Sequence, residues 1–305
     1  MKQITNHILM VKPIGFTYNH ETATNNHFQN SNNDISSHQI AEKALREFDQ
    51  LVNQLDKKGV NLIVADPKGN INNPDAVFPN NWFSVHADGK KVLYPMFAKN
   101  RRSERVLDIF NDLEKKLSIK FKSTVDLTFY EDQNLFLEGT GSMILDRVNK
   151  ISYAAISERT SEKILIDFGR QMNYEIISFS SIHKNAAIYH TNVMMCLGDA
   201  FSLICLESIE SLSEQKKLKE SFENTNKQII EISTGQIDCF AGNMLQVLGK
   251  DNQPLIVMSQ SAFQSLESNQ IKELEKYGEL LFSDLSTIEN YGGGSARCMM
   301  AELFI

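Results

Sequence analysis

The sequence predicts an α/β fold built from about five strand–strand–helix–strand units, closed around an axis as a five-bladed propeller. Three observations predict it. Methionines that follow a small or polar junction recur at Met143, Met194 and Met244, at intervals of 51 and 50 residues. A period of this length marks propellers and solenoids. Two apolar runs precede each amphipathic run, whereas a doubly wound sheet needs strict alternation of strand and helix. The chain ends on an apolar run, Met299 to Ile305, that is free to join the first unit. Closure of that kind leaves no exposed strand edge.

Taken in order, Ile8–Val11 is a short apolar strand stopped by Pro13. Tyr18 to Asp34, rich in Asn, Thr and His, is a loop, either solvated surface or a lid over a site. Ser36–Ser37 caps a helix to about Lys58, with Ile40, Ala44, Leu45, Phe48, Leu51, Val52 and Leu55 on its apolar face. Gly59 ends it, and Val60–Ala65 is a strand. Asp75 to Ser84 is a turn-rich stretch with the only tryptophan, Trp82. A strand Val92–Phe97 and a helix Ser103–Leu117 follow. Leu135 to Leu145 places Glu138 at a strand end before Gly139 and Gly141. Strand Ile151–Ala155, a helix from Ser157 to about Gln171, and a strand core at Ile176–Ile177 complete that unit. The next runs Val193–Leu197, Phe201–Leu206, a helix from Ser211 or Ser213 to Asn224, and Ile229–Ile232. The last full unit runs Met244–Leu248, Leu255–Met258, a helix Ser261–Tyr277, and Leu280–Phe282. Cys298–Ile305 is the closing strand.

Composition bounds the function. The chain of 305 residues carries a formal charge of −7 and no basic patch, which excludes nucleic acid as an expected partner. No signal peptide and no run of eighteen apolar residues is present, so neither membrane nor export is expected. Cys196, Cys205, Cys239 and Cys298 fit neither a metal pattern nor a disulfide scaffold. A reducing cytoplasm with free thiols is the expected setting. One unit, 1–305, is expected, and a homodimer is compatible with it.

If the units close around an axis, their junctions converge on a central pocket. They supply Asn80 and Asn81, Glu138, His190 and Asn192, Asn243, and Cys298. Cys298 follows the run Gly292-Gly293-Gly294, a backbone able to take positive φ and approach a ligand. Most buried cysteines are inert, but a thiol nucleophile needs a neighbouring base, and a histidine oriented by a carboxylate supplies one. Cys298, His190 and Glu138 make that set. The asparagines are weaker candidates, because Asn is a common turn residue. Trp82 and Phe83 read as core, and Cys196, Cys205 and Cys239 as structural. Arg297, beside the nucleophile, either holds a substrate carboxylate or tunes the thiol, or forms a structural pair.

Phe78-Pro79-Asn80-Asn81-Trp82-Phe83-Ser84, Leu137-Glu138-Gly139-Thr140-Gly141-Ser142, His190-Thr191-Asn192, Ala241-Gly242-Asn243-Met244-Leu245 and the Gly292–Cys298 run together carry a family likeness. Over nearly its whole length the chain resembles the guanidine-modifying, or pentein, superfamily: arginine deiminase, dimethylarginine dimethylaminohydrolase and amidinotransferases. It is most similar to the bacterial citrulline utilization hydrolase branch. The resemblance implies a five-bladed propeller of ββαβ units, Cys298 as nucleophile, His190 as general acid and base, and Glu138 as its orienting partner. Many arginine deiminase relatives carry aspartates where this chain has Asn81 and Asn192. An amide offers both donor and acceptor, which suits the C=O and NH₂ of a neutral ureido group better than a cationic guanidinium.

The expected function is therefore hydrolysis of a linear C–N bond in a small ureido or guanidino compound, citrulline first. Substrate contacts are expected from Asn80, Asn81, Asn192, Asn243 and Arg297. Backbone N–H groups near Gly293 and Gly294 and the Asn81 side chain are expected to stabilise the tetrahedral intermediate. No metal or organic cofactor is implied. The alternatives are an amidinotransferase, an arginine deiminase-type enzyme, and a non-catalytic ligand-binding propeller.

Overall fold

The computed structural model describes residues 2–30, 35–67 and 73–305. Five three-stranded sheets repeat one topology. Each has a central strand with an antiparallel neighbour on one side and a parallel one on the other. The first in sequence, β1 (His7–Val11) with β2 (Asn61–Ala65), is completed by the last strand of the chain, β17 (Ala301–Glu302). Ile8 lies opposite Glu302 and Leu9 opposite Ala301, so the two ends of the chain share one sheet.

The other four are continuous in sequence. They are β3 (Phe83–Val85), β4 (Lys90–Leu93) and β5 (Ser123–Asp126); β6 (Ile144–Asp146), β7 (Ile151–Ala155) and β8 (Glu175–Phe179); β11 (Met195–Leu197), β12 (Phe201–Ile204) and β13 (Gln228–Glu231); and β14 (Leu245–Leu248), β15 (Pro254–Ser259) and β16 (Glu279–Ser283). Between the second and third of these four sheets, β9 (Ile182–His183) and β10 (Ala186–Ala187) form a separate hairpin. Strand pairing closes no barrel among the described residues; the sheets are separately hydrogen-bonded units in a mixed α/β fold.

A helix links the parallel strands of each sheet and buries its apolar stripe. In the helix Ser37–Lys57 the Ser36–Gln39 capping box sets the start, and Ile40, Ala44, Phe48, Leu51 and Leu55 are buried. The 50-residue period corresponds to the junction in front of the first strand of each sheet. Those junctions are Pro79–Asn81, Gly139–Ser142, Thr191–Met194, the turn 240–243, and the turn 296–299, and their residues are mostly fully buried.

Several boundaries differ from expectation. The helix expected from Ser157 begins at Glu162, because Ser157 is bridged to Thr160 and its hydroxyl donates to the Tyr189 carbonyl. The one expected over Ser103–Leu117 begins at Asp108, after a 3₁₀ turn Asn100–Glu104 that buries Arg101 and Glu104. The one expected over Ser261–Tyr277 is two helices, Gln260–Ser265 and Ser268–Leu274, with a fresh capping box on Glu267. The closing strand is two residues long, and Cys298 lies in the turn before it. Strand Val92–Phe97 stops at Leu93, ahead of Pro95, which has no N–H for a ladder. The loop expected over Tyr18 to Asp34 contains a 3₁₀ turn, Thr22–Thr24, and its last four residues lie outside the described ones. No helix among the described residues is long and apolar enough to cross a membrane.

Candidate active site

Cys298 is buried, and its sulfur accepts two side-chain N–H groups: Asn192 Nδ2 at 3.3 Å and Asn243 Nδ2 at 3.2 Å. Asn243 Nδ2 also donates to the Asn192 carbonyl at 2.9 Å, which ties two junctions together under the thiol. The glycine run in front takes a conformation that only glycine tolerates. Gly293 has φ +62°, and a Cβ there would fall 2.5 Å from the Asn26 amide. Gly293 also spends its N–H on Glu289 O, capping the helix Ser286–Gly292, so it is no oxyanion donor. Ser295 donates to the buried Glu289 carboxylate and fixes the turn from below.

His190 Nε2 is 2.7 Å from Glu138 Oε2, so the ring nitrogen Nδ1 is left toward Gly141 and the cavity. Glu138 Oε1 accepts the Phe97 N–H at 2.9 Å. Both residues are buried. Burial opposes the charge on Glu138, but Arg159, the His190 hydrogen bond and charge, and Arg101 outweigh it and hold the carboxyl well below its usual range. Burial, only partly offset by Glu138, pushes His190 down to about 4. At neutral pH the pair is a carboxylate holding a neutral imidazole.

Around this pair lies a cavity of about 10 Å³, room for one water, walled by Asp75, Asn81, Arg101, Arg159, His190 and Cys298. Four polar atoms buried in this region have no hydrogen-bond partner among the described residues: Asp75 Oδ1, Asn80 Oδ1, Asn81 Nδ2 and Asn192 Oδ1. Orphaned buried groups are rare and costly, and two of these, Asp75 Oδ1 and Asn81 Nδ2, belong to residues of the cavity wall, where a ligand or water can pair with them. Asn81 is locked in one orientation. Its Oδ1 accepts Arg101 Nη1 at 2.9 Å, which leaves Nδ2 for the cavity.

Two buried arginines frame the site, and sequence reasoning missed both. Arg101 is gripped bidentately by Glu104, with Nε at 2.9 Å from Oε1 and Nη2 at 2.9 Å from Oε2. Burial pushes Glu104 up to about 7 despite that pairing. Arg159 approaches Glu138 at 3.5 Å, lies over the Tyr189 ring at 4.9 Å, and donates to Thr22 O and Asn25 Oδ1. Asp75 was also missed. Its Oδ2 accepts Asn19 Nδ2 at 2.7 Å and Thr22 Oγ1 at 3.2 Å, and burial raises its carboxyl against the pull of Arg101. The loop 19–30 covers the cavity, pinned by Asn26 to the Gly292 carbonyl and by Gln29 to the Tyr291 carbonyl.

Two expected contacts lie elsewhere. Arg297 points away from the thiol pocket, with Nη1 donating to Met300 O and Nη2 to Glu302 Oε2, both at 2.9 Å. It is a structural pair there, in a separate small cavity with Gln3 and Cys196. Asn80 is outside the cavity wall; its Nδ2 is 3.4 Å from Thr140 Oγ1. All four cysteines are free, and no cluster of three or more His, Cys, Asp or Glu is arranged for a metal among the described residues.

ArgZ, an arginine dihydrolase from the ornithine-ammonia cycle in cyanobacteria, superposes with a TM-score of 0.73 at 19% identity. That match covers 97% of this chain and 40% of ArgZ, so the chain spans well under half of that protein. It corresponds to the N-terminal domain of ArgZ, bound to product, where 98% of each chain is covered at TM-score 0.73 and 19% identity. A dimethylarginine dimethylaminohydrolase variant carrying an S-methyl-L-thiocitrulline adduct matches with TM-score 0.62 and 15% identity over 98% of this chain and 99% of that one. These likenesses establish the fold. No curated protein gave a significant sequence match. A family model for N,N dimethylarginine dimethylhydrolase, eukaryotic, matches residues 12–305. With nearly its whole length matched, the chain belongs to the N,N dimethylarginine dimethylhydrolase family of the guanidine-modifying, or pentein, superfamily.

Proposed function

We propose that this hydrolase cleaves the C–N bond of a ureido amino acid, citrulline first, through a covalent cysteine intermediate. The observation that carries the reading is the unpaired pair on residues of the cavity wall: one fixed donor, Asn81 Nδ2, and one acceptor, Asp75 Oδ1. A urea offers one carbonyl acceptor and N–H donors, which is the complement of that set. A guanidinium has no acceptor for Asn81 Nδ2, and Arg101 prevents that amide from turning over.

In the mechanism, the neutral His190 takes the Cys298 thiol proton on Nδ1 as the sulfur attacks the carbonyl carbon and forms a C–S bond. Asn81 Nδ2 takes the developing oxyanion. His190 passes a proton to the departing amine as the C–N bond breaks, leaving an S-carbamoyl enzyme and ornithine. The neutral imidazole then takes a proton from water, which attacks the thioester carbon. Carbamate leaves, and the thiol is restored. Glu138 holds the tautomer that leaves Nδ1 for these transfers. The five sheets are read as blades of one closed pentein unit, 1–305, with each junction at the centre. Contacts between β6 and β11, β11 and β14, and β17 and β3 support that arrangement.

A second reading rests on Asp75. A buried carboxylate oxygen without a partner also suits a guanidinium, so an arginine-type substrate, by hydrolysis or by amidino transfer to an amine, is the alternative. The test is ornithine, citrulline and ammonia release from citrulline and from arginine, with wild type and Cys298→Ala. Ornithine from citrulline, lost in the variant, is expected. Citrulline from arginine with no turnover of citrulline itself overturns the ureido reading. Ornithine formed from arginine only when an acceptor amine is added points to transfer. Inertness to both, with Cys298 alkylated no faster than a free thiol, points to a binding protein.

A further inference from the structure

Cys298 stands between two clusters of buried charge. On the cavity side are two guanidiniums, Arg101 and Arg159, and three carboxylates, Asp75, Glu104 and Glu138. His190 and Tyr189 on that side are neutral. With its carboxylates ionised, that set carries no excess positive charge. On the far side Glu302, on β17, is 2.9 Å from Arg297 Nη2 and 3.5 Å from Arg147 Nη2, and all three side chains are buried. No second carboxylate pairs with either arginine among the described residues. Arg147 lies instead over the Phe304 ring at 4.0 Å, and Arg297 Nη1 donates to Met300 O at 2.9 Å. The triad of two guanidiniums and one carboxylate therefore holds one uncompensated positive charge out of water.

An arginine does not shed its proton, and a buried charge without a partner is costly. The imbalance calls for an anion close by. Burial, with Arg147, holds the Arg297 guanidinium below its usual range, against the pull of Glu302, Cys298 and Cys196. Glu302 is already shared, and burial pushes the Cys196 thiol up to about 12, which leaves Cys298. We propose that Arg297, one residue before the nucleophile, supplies through this triad the positive charge that stabilises the Cys298 sulfur as it becomes anionic. Arg297 touches neither the sulfur nor the substrate and acts by its field across the turn. The inference rests on Cys298 as the nucleophile of the proposed function. It gives the enzyme a charge of its own in place of the one that a ureido group lacks.

The test follows the rate at which iodoacetamide, a neutral reagent, alkylates Cys298 as pH is varied, read by mass spectrometry on the Cys298 peptide. Arg297→Met removes the charge and should move the midpoint of that profile up by about 1 pH unit, the effect of one charge on the order of 10 Å away at an effective dielectric of about 20. Arg297→Lys keeps the charge and should leave the midpoint nearly in place. Glu302→Gln keeps the shape, removes the counter-charge and should move the midpoint down. A triad that only holds the fold together gives no such opposite signs. Shifts of the two charge-removing variants in the same direction, or no shift in variants that melt as folded proteins, overturn the proposal. If Arg297→Met does not fold, Glu302→Gln decides alone: a lowered midpoint supports the proposal, and an unchanged or raised one overturns it. Turnover is not needed for this measurement. If wild type acts on neither citrulline nor arginine, the proposed function fails, and the midpoints still decide the role of Arg297.

Discussion

A methyl group at Gly141 tests the site more directly than removal of any catalytic group. Gly141 lies in the single turn Gly139–Ser142, and its own φ is not positive, so alanine brings no backbone strain. The added Cβ would fall 2.4 Å from Asn81 Nδ2, and 2.8 and 2.9 Å from His190 Nδ1 and Cε1. Ordinary contacts are about 3.5 Å or more, so roughly 1 Å must be found. Neither neighbour can give it freely. Arg101 holds Asn81 Oδ1 at 2.9 Å, and Glu138 holds His190 Nε2 at 2.7 Å. Overpacking of this kind costs about 1–3 kcal/mol, which a thermal melt reads as a drop of a few degrees. A displacement near 1 Å of the proposed base, His190, and the proposed oxyanion donor, Asn81, should cost about a hundredfold in kcat/KM. Gly235→Ala is the control, because its Cβ meets nothing closer than Ser233 Oγ at 3.8 Å. Gly141→Ala with wild-type kcat/KM on citrulline would refute the placement of Asn81 and His190 around the reacting carbon.

Two further outcomes follow from the same geometry. Asn81→Asp leaves one oxygen on Arg101 and turns the other, an acceptor, to the cavity. The ratio of kcat/KM for citrulline over arginine should fall about ten- to a hundredfold, one unpaired buried group's worth, and an unchanged ratio sinks the donor argument. Because His190 sits near 4 in the folded chain and 6.5 in the unfolded one, the unfolded chain binds the extra proton between those values. The His190 contribution to stability is therefore complete above about pH 6.5 and is lost as pH falls toward 4. The acid limb of kcat/KM should lie below pH 5, and a limb centred near 6.5 would mean that the imidazole is not held neutral.

Some of the site could be read from the sequence because it follows the repeat. Glu138, His190, Asn192, Asn243 and Cys298 each lie at a junction before a first strand, and the period alone aligns them. Asp75, Arg101 and Arg159 lie off that period, in turns whose composition matches solvated surface. A weak signal existed for Arg101, three residues before Glu104 on one helical turn. None existed for Arg159, whose partners Thr22 and Asn25 are more than 130 residues away in sequence. Arg297 misled by proximity. It is next to Cys298 in the chain, but a turn points adjacent side chains to opposite sides. The strand β5 was unreadable because its residues are mostly exposed and polar, and the β9–β10 hairpin because its strands are two residues long.

The electrostatics of the sulfur bear on substrate choice. With His190 neutral in the resting site, the side-chain N–H groups that reach the Cys298 sulfur are those of Asn192 and Asn243. A cationic guanidinium bound over Cys298 would stabilise the thiolate by its own charge, and such a site needs little help from amides. A ureido group brings no charge, so the enzyme must supply the stabilisation itself. Both amides reach the sulfur at hydrogen-bond distance, and Asn243 is fixed there, its Oδ1 accepting the Cys298 N–H at 3.4 Å and its Nδ2 also donating to the Asn192 carbonyl. Preorganised dipoles of this kind act without reorganisation at the moment of attack. The pair of asparagines at the Cys298 sulfur and the locked amide of Asn81 are thus two separate hydrogen-bond arguments for the neutral substrate proposed above.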